Sequence, residues 1–274
     1  MSKTALGWAM ILMVAAAACS TDASSSTSTG NSATTNTAAA EPEASCPRDG
    51  EPLDTAKLYI EHNASDADTG VHGLFGGSAW HELCIWNPNG ELIMVVDPRS
   101  ALNELTVADL FFESREPPND EYSIETLRAA FPEGQYMVGG TDFEGVARVG
   151  HAWFTHDIPA RPTIVAPAVA SDEETAGQAL VGTQDLVVEW DQVTTTITGE
   201  PLDVTGYQII ITKVDHDDPN GWSRPVYDVH IGPGATSLSV PGDFLESGTV
   251  YELEILALEV SGNQTITVGF FKTR

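Results

Sequence analysis

The sequence predicts an all-β protein: two tandem β-sandwich-like domains after a disordered tether, with one short helix in the first domain. Short runs rich in β-branched and aromatic residues recur along the chain, and clusters of Gly, Pro, Asn and Asp separate them. Residues 20–45, in contrast, are rich in Ser and Thr and hold nothing large to bury. We therefore divide the chain into a signal peptide (1–18), a tether (19–45), a β-rich domain of unassigned function (46–159) and a second sandwich (160–274).

The first segment has the pattern of a secretory signal. Lys3 precedes an apolar run from Ala5 to Ala18, which is shorter than the roughly 20 residues that a membrane span needs. The small residues Ala16 to Ala18 followed by Cys19 resemble the lipobox of bacterial lipoproteins. This resemblance implies a diacylglycerol on the sulfur of Cys19. The alternative is ordinary cleavage after Ala18, which would leave the tether as a linker.

The tether connects this N-terminal anchor to the folded part of the chain. Ser20 to Ser45 shows no apolar periodicity, so the segment cannot offset the entropy lost on ordering. A coil of this length has a root-mean-square reach of about 30 Å. The sequence therefore predicts an exported protein, lipid-anchored in the outer membrane or at the cell surface, with its body held clear of the membrane.

The charge balance restricts the partners. The chain carries 40 acidic and 12 basic residues, which gives a net charge of −28. Such an excess repels nucleic acid and anionic lipid surfaces. The expected partner is an extracellular or envelope protein or a polysaccharide of unknown identity, and the simplest role of the acidity is solubility.

Two cysteines remain if Cys19 carries lipid. Cys46 lies where the tether meets the folded body, and Cys84 lies in an apolar run. Export permits a disulfide between them. The alternative is a buried Cys84 that acts as a small hydrophobic residue, with Cys46 free. The sequence leaves both interpretations open.

The second half of the chain reads as a series of short strands, several of which alternate between apolar and polar residues. The predicted strands are Asp185 to Trp190, Gly206 to Val214, Pro225 to Ile231, Thr236 to Pro241, Tyr251 to Val260 and Thr265 to Phe271.

Particular residues of this half resemble a fibronectin type III domain. Trp190 ends one strand and Tyr207 opens the next, while Leu245 to Ala257 has the Leu-x-x-Gly-x-x-Tyr-x-Leu-x-Ile-x-Ala spacing. The resemblance implies structural roles for Trp190, Tyr207 and Tyr251, the last as a tyrosine corner. Arg161 to Pro167 would be an edge strand, because prolines cannot donate to a ladder.

The first half is also β-rich. Its predicted strands lie in the runs "KLYIEHN", "WHELCIW", "ELIMVVD", "QYMVGG" and "VARVGHAWFTHDI". Ser123 is a predicted N-cap for a helix from Ile124 to Phe131, which would end before Pro132 and Gly134. The half resembles an unassigned β domain that precedes a fibronectin type III domain in bacterial secreted proteins, which implies an architecture and no activity.

One loop is a candidate metal site. Asn63, Asp66 and Asp68 offer oxygen ligands within six residues, and calcium prefers such oxygen clusters. The alternative, which we favour, is a turn whose Asx side chains satisfy their own backbone. We therefore predict no cofactor, with calcium as the one candidate.

Candidate ligand-binding and catalytic residues lie in the first half. The sequence contains no G-x-S-x-G, H-E-x-x-H, phosphate loop or Rossmann fingerprint. Glu61 and Glu82 are the candidate carboxylates for hydrolysis. If exposed, His72 and the tryptophans would form a binding surface, although tryptophan is usually buried; the tryptophans are Trp80, Trp86, Trp153 and Trp222. The predicted function is a non-enzymatic binding or display module, with a hydrolase and a structural envelope protein as alternatives.

Overall fold

A computed structural model of the chain describes residues 46–217 and 224–274. The predicted signal peptide, Cys19, the tether and Trp222 lie outside these described residues. Within them the chain is built mainly from β-strands, which confirms the all-β class. No helix in the described part of the chain is long and apolar enough to cross a membrane.

The first half contains seven strands and two helices. The strands are β1 (Glu51–Pro52), β2 (Thr55–Asn63), β3 (Asp68–Trp86), β4 (Leu92–Val96), β5 (Val107–Glu113), β6 (Gly134–Asp142) and β7 (Ala147–Phe154). The helices are α1 (Ser100–Leu105) and α2 (Ile124–Ala130).

The helix prediction was correct for α2 and incomplete. Ser123 caps α2, since its Oγ accepts a hydrogen bond from the backbone N–H of Thr126. A second helix, α1, was not predicted. It spans six residues, has no side-chain cap and buries none of its residues, so it produces neither a capping signal nor an apolar stripe in the sequence.

The long strand β3 organises the first half. Its N-terminal part pairs with β2 and β5, and its C-terminal part pairs with β6 and β4. The change of partners begins at Gly77, whose φ of 122° is one that side-chain-bearing residues rarely adopt. Both parts contribute to one core, which includes Ile60, Phe75, Trp80 and Phe154.

The second half has eight strands, with short 3₁₀ turns at Ala176–Gln178 and Gly242–Phe244. The strands are β8 (Ile164–Ala166), β9 (Leu180–Val181), β10 (Val187–Trp190), β11 (Val204–Lys213), β12 (Val226–Ile231), β13 (Ser237–Ser239), β14 (Val250–Glu259) and β15 (Gln264–Thr273).

These strands form the sandwich that the fibronectin type III resemblance implies. One sheet has the order β13-β10-β8, and the other contains β12-β11-β14-β15. Their shared core includes Trp190, Tyr207 and Tyr251. The hydroxyl of Tyr207 accepts a hydrogen bond from the buried N–H of Val193 at 2.7 Å. Pro162 and Pro167 flank β8, in agreement with its predicted place at an edge.

A parallel pairing between β2 and β15 joins the two halves, with Glu61 opposite Gln264. Asn263 is fully buried beside this pairing. Its Oδ1 accepts a hydrogen bond from Ile60 N–H at 2.8 Å, and its Nδ2 donates to the carbonyl of Thr155 at 3.1 Å. One sheet of 12 strands therefore passes through both halves, and residues 46–274 fall within one compact unit.

Candidate functional site, a histidine between two glutamates

The main cluster of titratable side chains lies on β2, β3 and the segment after β5. His72 Nε2 is 2.9 Å from Glu116 Oε1, and His72 Nδ1 is 3.7 Å from Glu61 Oε2. Only 4% of the His72 side chain is exposed, against 15% for Glu61 and 14% for Glu116. The imidazole is therefore enclosed, with one carboxylate facing each ring nitrogen.

Strand register places these side chains together. Glu61 lies opposite Gly70, and Tyr59 lies opposite His72. Residues two apart on a strand share a face, so Tyr59, Glu61 and His72 all lie on one face of the sheet. A Cβ atom at position 70 would come within 2.6 Å of the Glu116 Cγ. Gly70 therefore leaves the space through which Glu116 reaches the histidine.

Aromatic rings and an amide complete the surroundings of the cluster. The His72 ring packs edge-on against Tyr59, with centroids 5.4 Å apart, and against Phe111 at 5.8 Å. Gln264 of β15 donates a hydrogen bond from Nε2 to Glu61 Oε2. The cluster thus touches the junction between the two halves of the molecule.

Burial and mutual charge alter the pKa values in this cluster. Burial raises the pKa of Glu61 to about 7, although His72 opposes the shift. Burial alone would lower the pKa of His72, but the hydrogen bond with Glu116 and the charge of Glu61 outweigh it and raise that pKa. Burial also raises the pKa of Glu113, which lies opposite His72 on β5. The folded cluster therefore holds protons more tightly than the unfolded chain.

The geometry suits proton sharing better than metal binding. Glu61, His72 and Glu116 bring potential ligand atoms within 4.8 Å of one another, so these are the residues that could hold a cation. A metal ion takes one imidazole nitrogen, whereas here each nitrogen faces a different carboxylate. A protonated imidazole satisfies both carboxylates at once.

This cluster predicts a pH dependence of stability. Glu61 and His72 both have pKa values raised above their ordinary 4.5 and 6.5. The contribution of these two groups to the stability of the fold is therefore complete below their unfolded-state pKa values. It is lost as pH rises through their folded-state pKa values. The shift at Glu61 alone corresponds to roughly 3 kcal/mol. We expect the melting temperature to fall between pH 5 and pH 8, and Glu61→Gln to flatten this fall.

The matched control for this measurement is Glu174→Gln, which removes one carboxylate from an exposed position. It corrects for the general repulsion in a chain of net charge −28. If both variants show the same slope of melting temperature against pH, the buried cluster does not contribute as described.

The candidate calcium loop contains an Asx turn. Asn63 Oδ1 accepts hydrogen bonds from the backbone N–H groups of Ser65 at 3.0 Å and Asp66 at 3.1 Å. Asn63 Nδ2 donates to Asp66 Oδ2 at 2.8 Å. The side chain thus satisfies its own turn, as the alternative interpretation expected. Burial raises the pKa of Asp68 to about 6. Calcium binding by these residues stays a prediction.

Within residues 46–217 and 224–274, the candidate aromatic residues do not form one exposed surface. Trp80 is 1% exposed in the core of the first half, and Trp86 is 3% exposed in a different cluster. Both are therefore covered by other parts of the chain, as is usual for tryptophan, and neither is exposed to form a binding surface. His72 is enclosed between glutamates, while Trp153 is 63% exposed on β7.

The cover over Trp86 is the start of the described chain, Cys46 to Arg48, which we call the N-terminal strap. Cys46 and Cys84 form a disulfide, and the guanidinium carbon of Arg48 lies 4.7 Å from the centre of the Trp86 ring. A Cβ at Gly139 would lie 2.0 Å from the Pro47 carbonyl oxygen. The strap therefore crosses directly over β6.

The two predicted hydrolase carboxylates lie in different clusters. Glu61 belongs with His72, while Glu82 lies beside the Cys46 and Cys84 sulfurs. Sequence reasoning missed Glu116, because it follows His72 by 44 residues and only the pairing of β5 with β3 brings it near. It also missed the role of Gly70 as a space for that side chain.

Comparison with known proteins finds fibronectin type III structures. No family model and no curated protein matches the chain. The third fibronectin III domain of human KIAA0343 protein is 19% identical, with a TM-score of 0.29, covering 43% of this chain and 84% of that one. A two-domain segment of chicken tenascin is 10% identical, with a TM-score of 0.29, covering 80% and 100%. The chicken CNTN1 FN1-FN3 structure is 12% identical, with a TM-score of 0.31, covering 81% and 66%.

Proposed function

We propose that this protein is a non-enzymatic binding or display module, carried at the outer membrane or cell surface by a lipid on Cys19. The sequence supports the anchor through the apolar run, the small residues before Cys19 and the Ser/Thr-rich tether after it. The acidic surface favours a protein or polysaccharide partner over nucleic acid.

The observation that carries the non-enzymatic part of the proposal is the enclosure of the Glu61–His72–Glu116 cluster. Its side chains contact one another and are 15% exposed or less. An active site needs such groups within hydrogen-bond reach of a substrate. A groove of 610 Å³ between β8 and β15 has only one charged side chain in its lining, Arg161. Neither place offers an accessible acid–base pair.

The N-terminal strap supports the display part of the proposal. The disulfide fixes Cys46 to Cys84 on β3, so the predicted tether would begin at a defined place on the body. If residues 19–45 form the predicted coil, its root-mean-square reach would be about 30 Å. That separation suits contact with a large partner outside the membrane.

The anchor is tested by cell fractionation of the full chain. We expect Cys19→Ala to move the protein from the membrane pellet to the soluble fraction, because the acylated sulfur is lost. Ser20→Ala is the matched control and should stay in the pellet. A Cys19→Ala protein that sediments with the membrane as wild type does would contradict the assignment.

The non-enzymatic part is tested with peptidoglycan, polysaccharide and peptide substrates, using the detergent-solubilised full chain. We expect no turnover. Turnover that disappears in Glu61→Gln, with the fold retained by circular dichroism, would replace the proposal with a hydrolase. Glu174→Gln, at an exposed position, is the control for non-specific charge effects.

A further inference from the structure

The strand β4 is an edge strand composed entirely of apolar residues. It pairs with β3 alone among the described strands, and its sequence is Leu-Ile-Met-Val-Val. Leu92 and Ile93 are each 43% exposed, and Val95 is 46% exposed. An edge strand presents unpaired backbone N–H and C=O groups on its outer side. Here those groups lie beside apolar side chains that already face solvent.

The other described edge strands of five residues or more, β5 and β12, carry the usual protection against pairing. Charged residues interrupt β5 at Asp109 and Glu113, while β12 exposes Asp228 and His230. The short strand β1 contains Glu51 and Pro52. Charges and prolines at edges discourage further strand addition. Among described edge strands of five residues or more, β4 is the one without a polar residue.

We propose that β4 binds an extended segment of a partner protein, which adds to the sheet as a further strand. This inference rests on the proposed binding function and names the class of partner. Backbone hydrogen bonds would provide affinity, and apolar side chains at alternate positions of the partner would meet the exposed side chains of β4. Helix α1 begins four residues after β4 ends and exposes Leu102 and Leu105, which adds apolar surface nearby.

Charge indicates whether the strand that pairs with β4 comes from another protein or from a second copy of this chain. Glu91 precedes β4 and Asp97 follows it. In a two-fold antiparallel pair of β4 strands centred on Met94, Glu91 of each copy would face Asp97 of the other. Arg99 pairs with Asp97, but both side chains are exposed, and such pairs contribute little. The net charge of −28 adds further repulsion. The partner strand is therefore one with Lys or Arg at its ends.

The test is fluorescence anisotropy of labelled heptapeptides with the detergent-solubilised full chain. The first peptide has valine or isoleucine alternating with threonine and a lysine at each end. A second has glutamates at the ends, and a third has N-methylated amides along both edges. We expect the first to bind, the second to bind at least tenfold more weakly, and the third to lose binding because its backbone donors are gone.

Protein variants locate the site. Ile93→Thr combined with Val95→Thr keeps strand propensity but removes apolar contacts. This double variant should bind the first peptide at least tenfold more weakly than wild type does. Val226→Thr is the matched control, since Val226 is 44% exposed on the edge strand β12. The affinity of this variant for the first peptide should equal that of wild type. Absence of binding by the first peptide, or equal affinity in the double variant, would overturn the proposal. The proposal would also be overturned if wild type sediments as a dimer and the double variant sediments as a monomer, because the occupant of the β4 edge would then be a second copy of the chain. None of these outcomes bears on the anchor or the turnover tests.

Discussion

Tyr251→Ala is expected to lower the free energy of unfolding by about 3–5 kcal/mol, the usual cost of deleting a buried aromatic side chain. Tyr251 is 1% exposed. Its ring stacks on Phe271 with centroids 5.6 Å apart and lies 5.8 Å from Phe244. Its hydroxyl oxygen accepts a hydrogen bond from the Glu246 N–H at 2.8 Å. Urea denaturation followed by tryptophan fluorescence measures the loss.

The conservative variant Tyr251→Phe separates the ring from the hydroxyl. It keeps the stacking and loses the tyrosine-corner hydrogen bond, so we expect a loss of only about 1 kcal/mol. A Tyr251→Ala protein with an unchanged unfolding midpoint would show that this residue does not hold the second sandwich together, and would contradict the tyrosine-corner assignment.

Removal of the disulfide is the second change with a large expected effect. Cys46 and Cys84 are separated by 38 positions in sequence, and a cross-link of this span lowers the entropy of the unfolded chain. Cys46→Ala combined with Cys84→Ala should therefore lower the free energy of unfolding by about 4 kcal/mol. The same loss should follow treatment of wild type with a reducing agent, measured by the shift of the urea midpoint.

Cys19→Ala is the matched control for the disulfide, because it removes a cysteine and leaves the cross-link intact. Its unfolding midpoint should equal that of wild type when both are measured in the same detergent. If the double variant and this control unfold at the same urea concentration, the disulfide does not stabilise the body.

The sequence predicted best where the signal is local. Ser123 predicts the start of α2, because its side chain accepts a hydrogen bond from the backbone N–H three residues ahead. Tyr251 and Tyr207 lie in the core, where strand alternation places them, and their structural roles stay a prediction. The short helix α1 escaped prediction because it has no cap and no buried face to produce such a pattern.

Features that depend on distant pairing could not be predicted. His72 meets Glu116 only because β5 pairs with β3, and Glu61 meets Gln264 only because β2 runs beside β15. Likewise, the sequence left the bond between Cys46 and Cys84 open, since nothing local shows that the N-terminal strap crosses β6. That crossing also buries Trp86. Composition alone could not show whether Trp86 is buried or exposed.

The disulfide also determines how the body carries mechanical load. A pull on the chain ahead of Cys46 passes through the sulfurs to Cys84, in the C-terminal part of β3. Residues 47–83, including β1 and β2, lie outside this covalent path. That segment, which would extend to roughly 130 Å if drawn straight, cannot lengthen under force while the bond is intact. The pairing of β2 with β15 therefore joins the two halves through a segment that the disulfide bypasses.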